Sequence, residues 1–264
     1  VDIGLMADII DTMEDDPDTK LPHKGYTQSL KDKHIHIKKS TDNIDEAIVV
    51  PNANKVQELT NKYTKTTKTL QKNDEQLRIR SSKLSSNVSA AFISSQTEFK
   101  NLQVVYNQDI QFMNKERLER QTQKQIDSGF WTKSDNEDLV NHTITHEYGH
   151  YVQRILMERD ITQHNEDKAR RNELIEDIKK SKSTSNTQKL IQEYSEEYAT
   201  KYIKSVQKIC RKNFGRDYET KILSRYGTES NREYFAEIFC NAETNTNPDD
   251  IGKAMQIFLN KKLK

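Results

Sequence analysis

The sequence predicts an α+β fold in which helices predominate, and three observations carry that prediction. No proline occurs between Asn52 and Asn247, and no glycine between Tyr26 and Ser128, so long helices can run uninterrupted through the middle. Apolar residues recur at helical spacing from Val56 to Val88 and again from Leu139 to Leu156. A strand-like run, NLQVVY (Asn101 to Tyr106), supplies a small sheet between those two stretches.

Taken in order, residues 1–51 read as an irregular leader and linker, in which acidic EDDPD (Glu14 to Asp18) gives way to basic KDKHIHIKK (Lys31 to Lys39). Ile35 and Ile37 alternate with His34 and His36, as in a short exposed edge strand. No carboxylate or cysteine stands at ligand spacing to make those histidines a metal site. Residues 52–100 are expected to be a helical extension, with Val56, Leu59, Tyr63, Leu70, Leu77, Leu84 and Val88 at near-heptad intervals. That stripe is too thin for a core of its own and suits a hairpin or self-association. Residues 101–264 form the unit that carries the chemistry. Its opening runs, NLQVVY, IQFM (Ile110 to Met113) and GFWT (Gly129 to Thr132), are read as a small sheet. The Ser-Thr-Asn-Lys stretch from Lys179 to Lys189 reads as a loop between two helices.

Composition excludes several function classes. With 33% of residues hydrophobic and 31% charged, the core is small for 264 residues. A net charge of +1 gives no bulk attraction to nucleic acid or acidic lipid, and no apolar run is long enough to span a membrane. Cys210 and Cys240 lack CxxC partners and are expected as reduced thiols, which favours a reducing compartment such as the cytoplasm. A secreted effector would carry the same chemistry.

The chemistry centres on HEYGH, His146 to His150. With 7 histidines in the chain, His-Glu-x-x-His arises by chance in roughly one or two such sequences in a hundred, so context must decide. The motif needs a helix, where residues four apart project side by side. Ser134 and Glu137 suggest a capping box at its start. Leu139, Val140, Ile144, Tyr148, Tyr151, Val152, Ile155 and Leu156 mark an apolar face. Gly149 costs about 1 kcal/mol against alanine inside a helix, which implies a close neighbour. His142 lies one turn back, outside reach of an ion shared by His146 and His150. A catalytic zinc needs a third protein ligand. Glu193, Glu196 and Glu197 look like a charged face opposite Tyr194, Tyr198 and Tyr202. Glu233 and Glu237 instead share one side of a strongly apolar helix, where buried charge requires a partner. Ser230, three residues earlier, leaves open that Glu233 only closes a capping box.

HEYGH followed by Tyr226-Gly227 and by EYFAE (Glu233 to Glu237) resembles the catalytic domain of the anthrax lethal factor family of zinc endopeptidases, which are gluzincins. The resemblance spans about residues 129–258. It implies a zincin-like catalytic domain holding one Zn²⁺ through His146, His150 and Glu233, with Glu147 as general base. Tyr226 would assist the oxyanion or the leaving amine, and Glu237 would orient a zinc histidine. A peptide or protein substrate is then expected along an edge strand formed by IQFM or GFWT, with Phe130 and Trp131 lining a subsite or belonging to the core. Leu21 to Tyr63 resembles tails of bacteriophage minor head proteins, which implies phage structural partners. The alternative function is an assembly module whose zinc site is structural or vestigial.

Overall fold

A computed structural model of the chain describes residues 34–95, 97–215 and 223–264. Most of the expected leader, including Glu14 to Asp18, lies outside the described residues. The described chain is α+β and mostly helical, with a small sheet.

Strand β1 (Ile35–Ile37) follows the Ile/His alternation, burying both isoleucines. Helix α1 (Glu46–Lys62) begins earlier than expected and contains Pro51. Asp45 caps it by accepting the Ala47 N–H at 2.9 Å, and Pro51 removes only one early intrahelical donor. After α2 (Lys65–Lys72) the expected helical extension ends. Leu77 opens strand β2 (Leu77–Ser82), and Leu84 and Val88 lie on the way to strand β3 (Ala90–Ile93). Leu77 and Ile79 alternate with Arg78 and Arg80, a period of two that outweighs the sparse heptad spacing. The stripe expected to serve self-association is also used inside the chain. Val56, Leu59, Tyr63, Leu70 and Leu77 belong to the same buried cluster as Ile144, Tyr148 and Phe239, while Leu84, Ala91, Ile93 and Val105 form a small second cluster.

Strand β4 (Gln103–Asn107) falls within NLQVVY. Among the described residues the sheet order is β1-β2-β4-β3, with β1, β2 and β4 parallel and β3 antiparallel to β4 at one edge. IQFM is not a strand. It forms the one-turn helix α3 (Ile110–Met113), because Asp109 accepts the Gln111 N–H at 3.2 Å and starts a turn. Helix α4 (Lys115–Asp127) follows, capped by Asn114. GFWT is not a strand either: both Phe130 and Trp131 donate their N–H groups back to the Gln125 carbonyl.

Helix α5 (His142–Gln163) is the centre of the molecule, buried along almost its whole length. The sheet edge, α1, α2 and the C-terminal helices surround it, so polar residues such as Glu147, Arg154 and Glu158 are buried with the apolar ones. The Ser134–Glu137 capping box does not form. A 3₁₀ turn at Asn136–Asn141 intervenes, and Ser134 Oγ lies 2.7 Å from His142 Nδ1 instead. Helices α6 (Asn165–Lys180) and α7 (Thr184–Phe214) leave only three residues of the expected loop between them, since Ser183 caps α7 through the Asn186 N–H. Tyr194, Tyr198 and Tyr202 are buried as their spacing predicts. Tyr202 packs on Phe235 of α8 (Asn231–Glu243) and on Phe258 of α9 (Asp250–Leu263). Cys210 and Cys240 are buried, and no disulfide joins them. Among the described residues no helix is long and apolar enough to cross a membrane.

Helices α5 and α8 meet closely at Gly149. A Cβ there would stand 3.1 Å from the Ala236 Cα and 3.2 Å from the Phe239 Cβ. Gly149→Val is therefore expected to cost about 1–3 kcal/mol through overpacking, read as a thermal midpoint lowered by several degrees. An unchanged midpoint would show that the two helices separate freely.

Candidate metal centre

Helical spacing on α5 puts His146 and His150 on one side, with their ring centroids 5.1 Å apart and nearly perpendicular. From α8, Glu233 Oε2 reaches both rings, 3.0 Å from His146 Nε2 and 3.1 Å from His150 Nε2. One ligand atom from each of these residues lies within 4.8 Å of the other two. Bonds of 2.0–2.1 Å at tetrahedral angles separate neighbouring zinc ligands by about 3.3 Å, so the observed spacing fits that ion. Ser230 does cap α8, accepting the Glu233 N–H at 3.1 Å. The Glu233 carboxylate nevertheless turns away from the cap to the histidines, so the capping-box reading accounts for its backbone and not for its side chain.

The protonation chemistry is informative. Glu237 Oε1 lies 2.9 Å from His146 Nδ1. If that nitrogen donates, a neutral His146 presents a bare Nε2 lone pair to the Glu233 oxygen. Two acceptors at 3.0 Å repel unless a proton or a metal ion lies between them. Accordingly burial disfavours the charged His146 ring, but hydrogen bonds to Glu233 and Glu237 and the charges of Glu233 and Glu147 hold its pKa well above the ordinary value. Burial pushes Glu233 up, while the charge on His150 and hydrogen bonds from both rings bring it well below.

The supporting partners come from three elements. Glu237 is fully buried, and its second oxygen accepts the Thr132 N–H at 2.7 Å. Burial raises Glu237, but His146, His142 and Ser224 hold it below the usual carboxylate range. Gln153 Nε2 lies 3.0 Å from His150 Nδ1 and donates to the Arg232 carbonyl at 3.1 Å. Glu196 of α7 accepts the Asn231 and Arg232 N–H groups at 2.6 and 3.2 Å, anchoring the start of α8. Gln153 did not stand out in the sequence, and Glu196 drew notice only as one candidate for a third ligand. Glu196 read as one of several exposed acids, and its distance of 35 residues from Asn231 gave no local signal.

Glu147 lies near both histidines and reaches toward the sheet. Its Oε2 accepts the Phe92 N–H at 2.7 Å, from the edge of β3 that β4 does not use. Burial raises the Glu147 pKa, partly offset by His146 and His150. Tyr226 stacks on His146 with centroids 5.4 Å apart. Burial, together with the charges of Glu233 and Glu147, pushes its pKa upward and keeps the hydroxyl protonated.

GFWT supports the site through its backbone. The Gly129 and Phe130 carbonyls accept from the Arg225 and Tyr226 N–H groups, at 3.0 and 2.9 Å. Phe130 and Trp131 are half-buried; Phe130 lies against Tyr226 and Trp131 stacks on His142. Neither IQFM nor GFWT offers the free edge expected of it; that edge belongs to β3. His142 is buried, with Nδ1 beside Ser134 and Cys240 and no partner for Nε2.

No protein-family model, curated protein or solved structure matches the chain.

Burial lowers the His142 pKa from 6.5 to about 4. The unfolded chain takes up that proton first, so stability conferred by neutral His142 is complete above pH 6.5 and lost as pH falls toward 4. The span corresponds to about 3 kcal/mol. Denaturant titrations of metal-free protein should show His142→Gln losing correspondingly less stability over that interval than wild type; identical slopes would place the titration elsewhere.

Proposed function

We propose that the protein is a zinc-dependent endopeptidase of the gluzincin type, with a zincin-like arrangement of sheet edge, HEYGH helix and glutamate helix. The observation that carries this reading is the convergence of His146, His150 and Glu233 beside a buried carboxylate, Glu147, that is not one of the ligands. His146, His150 and Glu233 hold one Zn²⁺ per chain, and Glu237 fixes the His146 tautomer. The bound ion supplies Lewis acidity and lowers the pKa of a coordinated water from about 16 to about 7.

The remaining work falls to side chains. Glu147 sits on the helix between the two histidines, with a pKa raised by burial toward the range useful to a general base. It accepts a proton from the attacking water and returns it to the leaving amine. Tyr226 keeps its proton and donates a hydrogen bond to the developing oxyanion. The outer edge of β3, where Glu147 already takes the Phe92 N–H, receives an extended peptide by pairing through its remaining main-chain groups, which moves the substrate platform from the two runs expected to provide it.

The alternative is an assembly module, including one in a phage particle, with a structural zinc. Structural sites are closed by four protein ligands. Among the described residues three side chains gather here, and a structural site requires neither Glu147 nor Tyr226.

Glu147→Gln should retain about one zinc per chain by elemental analysis and lose peptide hydrolysis by at least about a hundredfold; hydrolysis that survives in the zinc-loaded variant removes Glu147 from the reaction. Glu233→Ala should lose zinc on dialysis against buffer under which wild type keeps it. Full retention of the metal would mean that another residue is the third ligand.

A further inference from the structure

Helix α4 borders a concavity of about 450 Å³ lined by Gln111, Arg117, Arg120, Gln121, Lys124 and Gln125. Positions 117, 120, 121 and 124 share one face by helical spacing. The lining holds three cations and no carboxylate, on a chain whose net charge is only +1. Of the acids on the same helix, Glu119 pairs with Lys115 at 3.8 Å, Asp127 accepts from Gln123 at 2.7 Å, and exposed Glu116 meets Arg120 through its backbone carbonyl at 3.3 Å. Arg117, Arg120 and Lys124 are exposed, and among the described residues none pairs with a carboxylate. Uncompensated like charges lining one concavity raise the local potential and favour an anionic ligand.

Both ends of this groove are tied to the elements that build the candidate site. At one end, Gln111 Nε2 donates at 2.6 Å to the Ser86 carbonyl, in the connection leading into β3. At the other, the Gln125 carbonyl accepts the Phe130 and Trp131 N–H groups. Phe130 packs on Tyr226, which stacks on His146.

We infer that the α4 groove binds acidic side chains of the substrate, so that the enzyme selects peptides rich in aspartate or glutamate near the cleaved bond. This rests on the endopeptidase reading. The glutamines suit carboxylates and peptide groups by hydrogen bonding, and the lining has no aromatic ring on which a nucleotide base could stack. A polypeptide anion therefore fits better than nucleic acid.

The test is fluorescence anisotropy with full-length protein carrying Glu147→Gln, so that binding is read without cleavage. The probes are a labelled glutamate-rich peptide and its glutamine counterpart. The acidic peptide should bind about tenfold more tightly at low salt, the scale of three exposed ion pairs, and the advantage should fade as salt is raised. Arg117→Gln, Arg120→Gln and Lys124→Gln together should remove the advantage without moving the thermal midpoint. Equal binding of the two peptides, or an advantage that survives the triple substitution, overturns the inference. So does displacement of the peptide by a single-stranded oligonucleotide that binds more tightly than the peptide does. Groove-dependent binding combined with no hydrolysis by the zinc-loaded wild type supports the groove and sinks the endopeptidase reading instead.

Discussion

One carboxylate oxygen meeting two imidazole nitrogens is the constraint around which the molecule is organised. Glu233 Oε2 faces His146 Nε2 and His150 Nε2 at 3.0 and 3.1 Å, a grouping of acceptors that is unfavourable unless a positive charge joins it. Removing such groups from water costs several kcal/mol per ion, and the cost is recovered only with good geometry and full hydrogen bonding. The surrounding structure supplies both. Glu237 and Thr132 fix one ring, Gln153 contacts the other, and Ser230 with Glu196 anchors the helix that delivers Glu233.

Electrostatics distinguish Glu233 from Glu147. Glu233 and Glu147 are both withdrawn from water, yet their pKa values move in opposite directions. Glu233 gains hydrogen bonds from two rings and is held low. Glu147 has a single backbone donor, Phe92, and burial prevails. A carboxylate with low proton affinity suits cation binding, and one with raised affinity suits proton transfer.

The helical parts of this arrangement were legible in the sequence because they are local. HEYGH and EYFAE each place their polar residues on one helix side by spacing alone, and the tyrosines of α7 announced their buried face in the same way. The sheet was read less well. Leu77, Leu84 and Val88 matched a seven-residue interval only because buried positions recurred there by tertiary packing, and IQFM was too short for its composition to separate strand from turn. The residues that sequence reasoning passed over, Gln153, Glu196 and Phe92, act across distances that a linear pattern does not encode. Phe92 contributes through its backbone N–H, which any residue other than proline could provide.

The contact at Gly149 has a geometric meaning beyond packing. Gly149 lies between His146 and His150 on α5, and the atom it approaches belongs to Ala236, which lies between Glu233 and Glu237 on α8. The helices thus touch, nearly backbone to backbone, within both the His146–His150 and the Glu233–Glu237 segments. Short side chains such as glutamate and histidine can span so small a gap and still leave a pocket of atomic size. The span between the imidazoles and the carboxylate is set by a missing methyl group, where no functional atom resides.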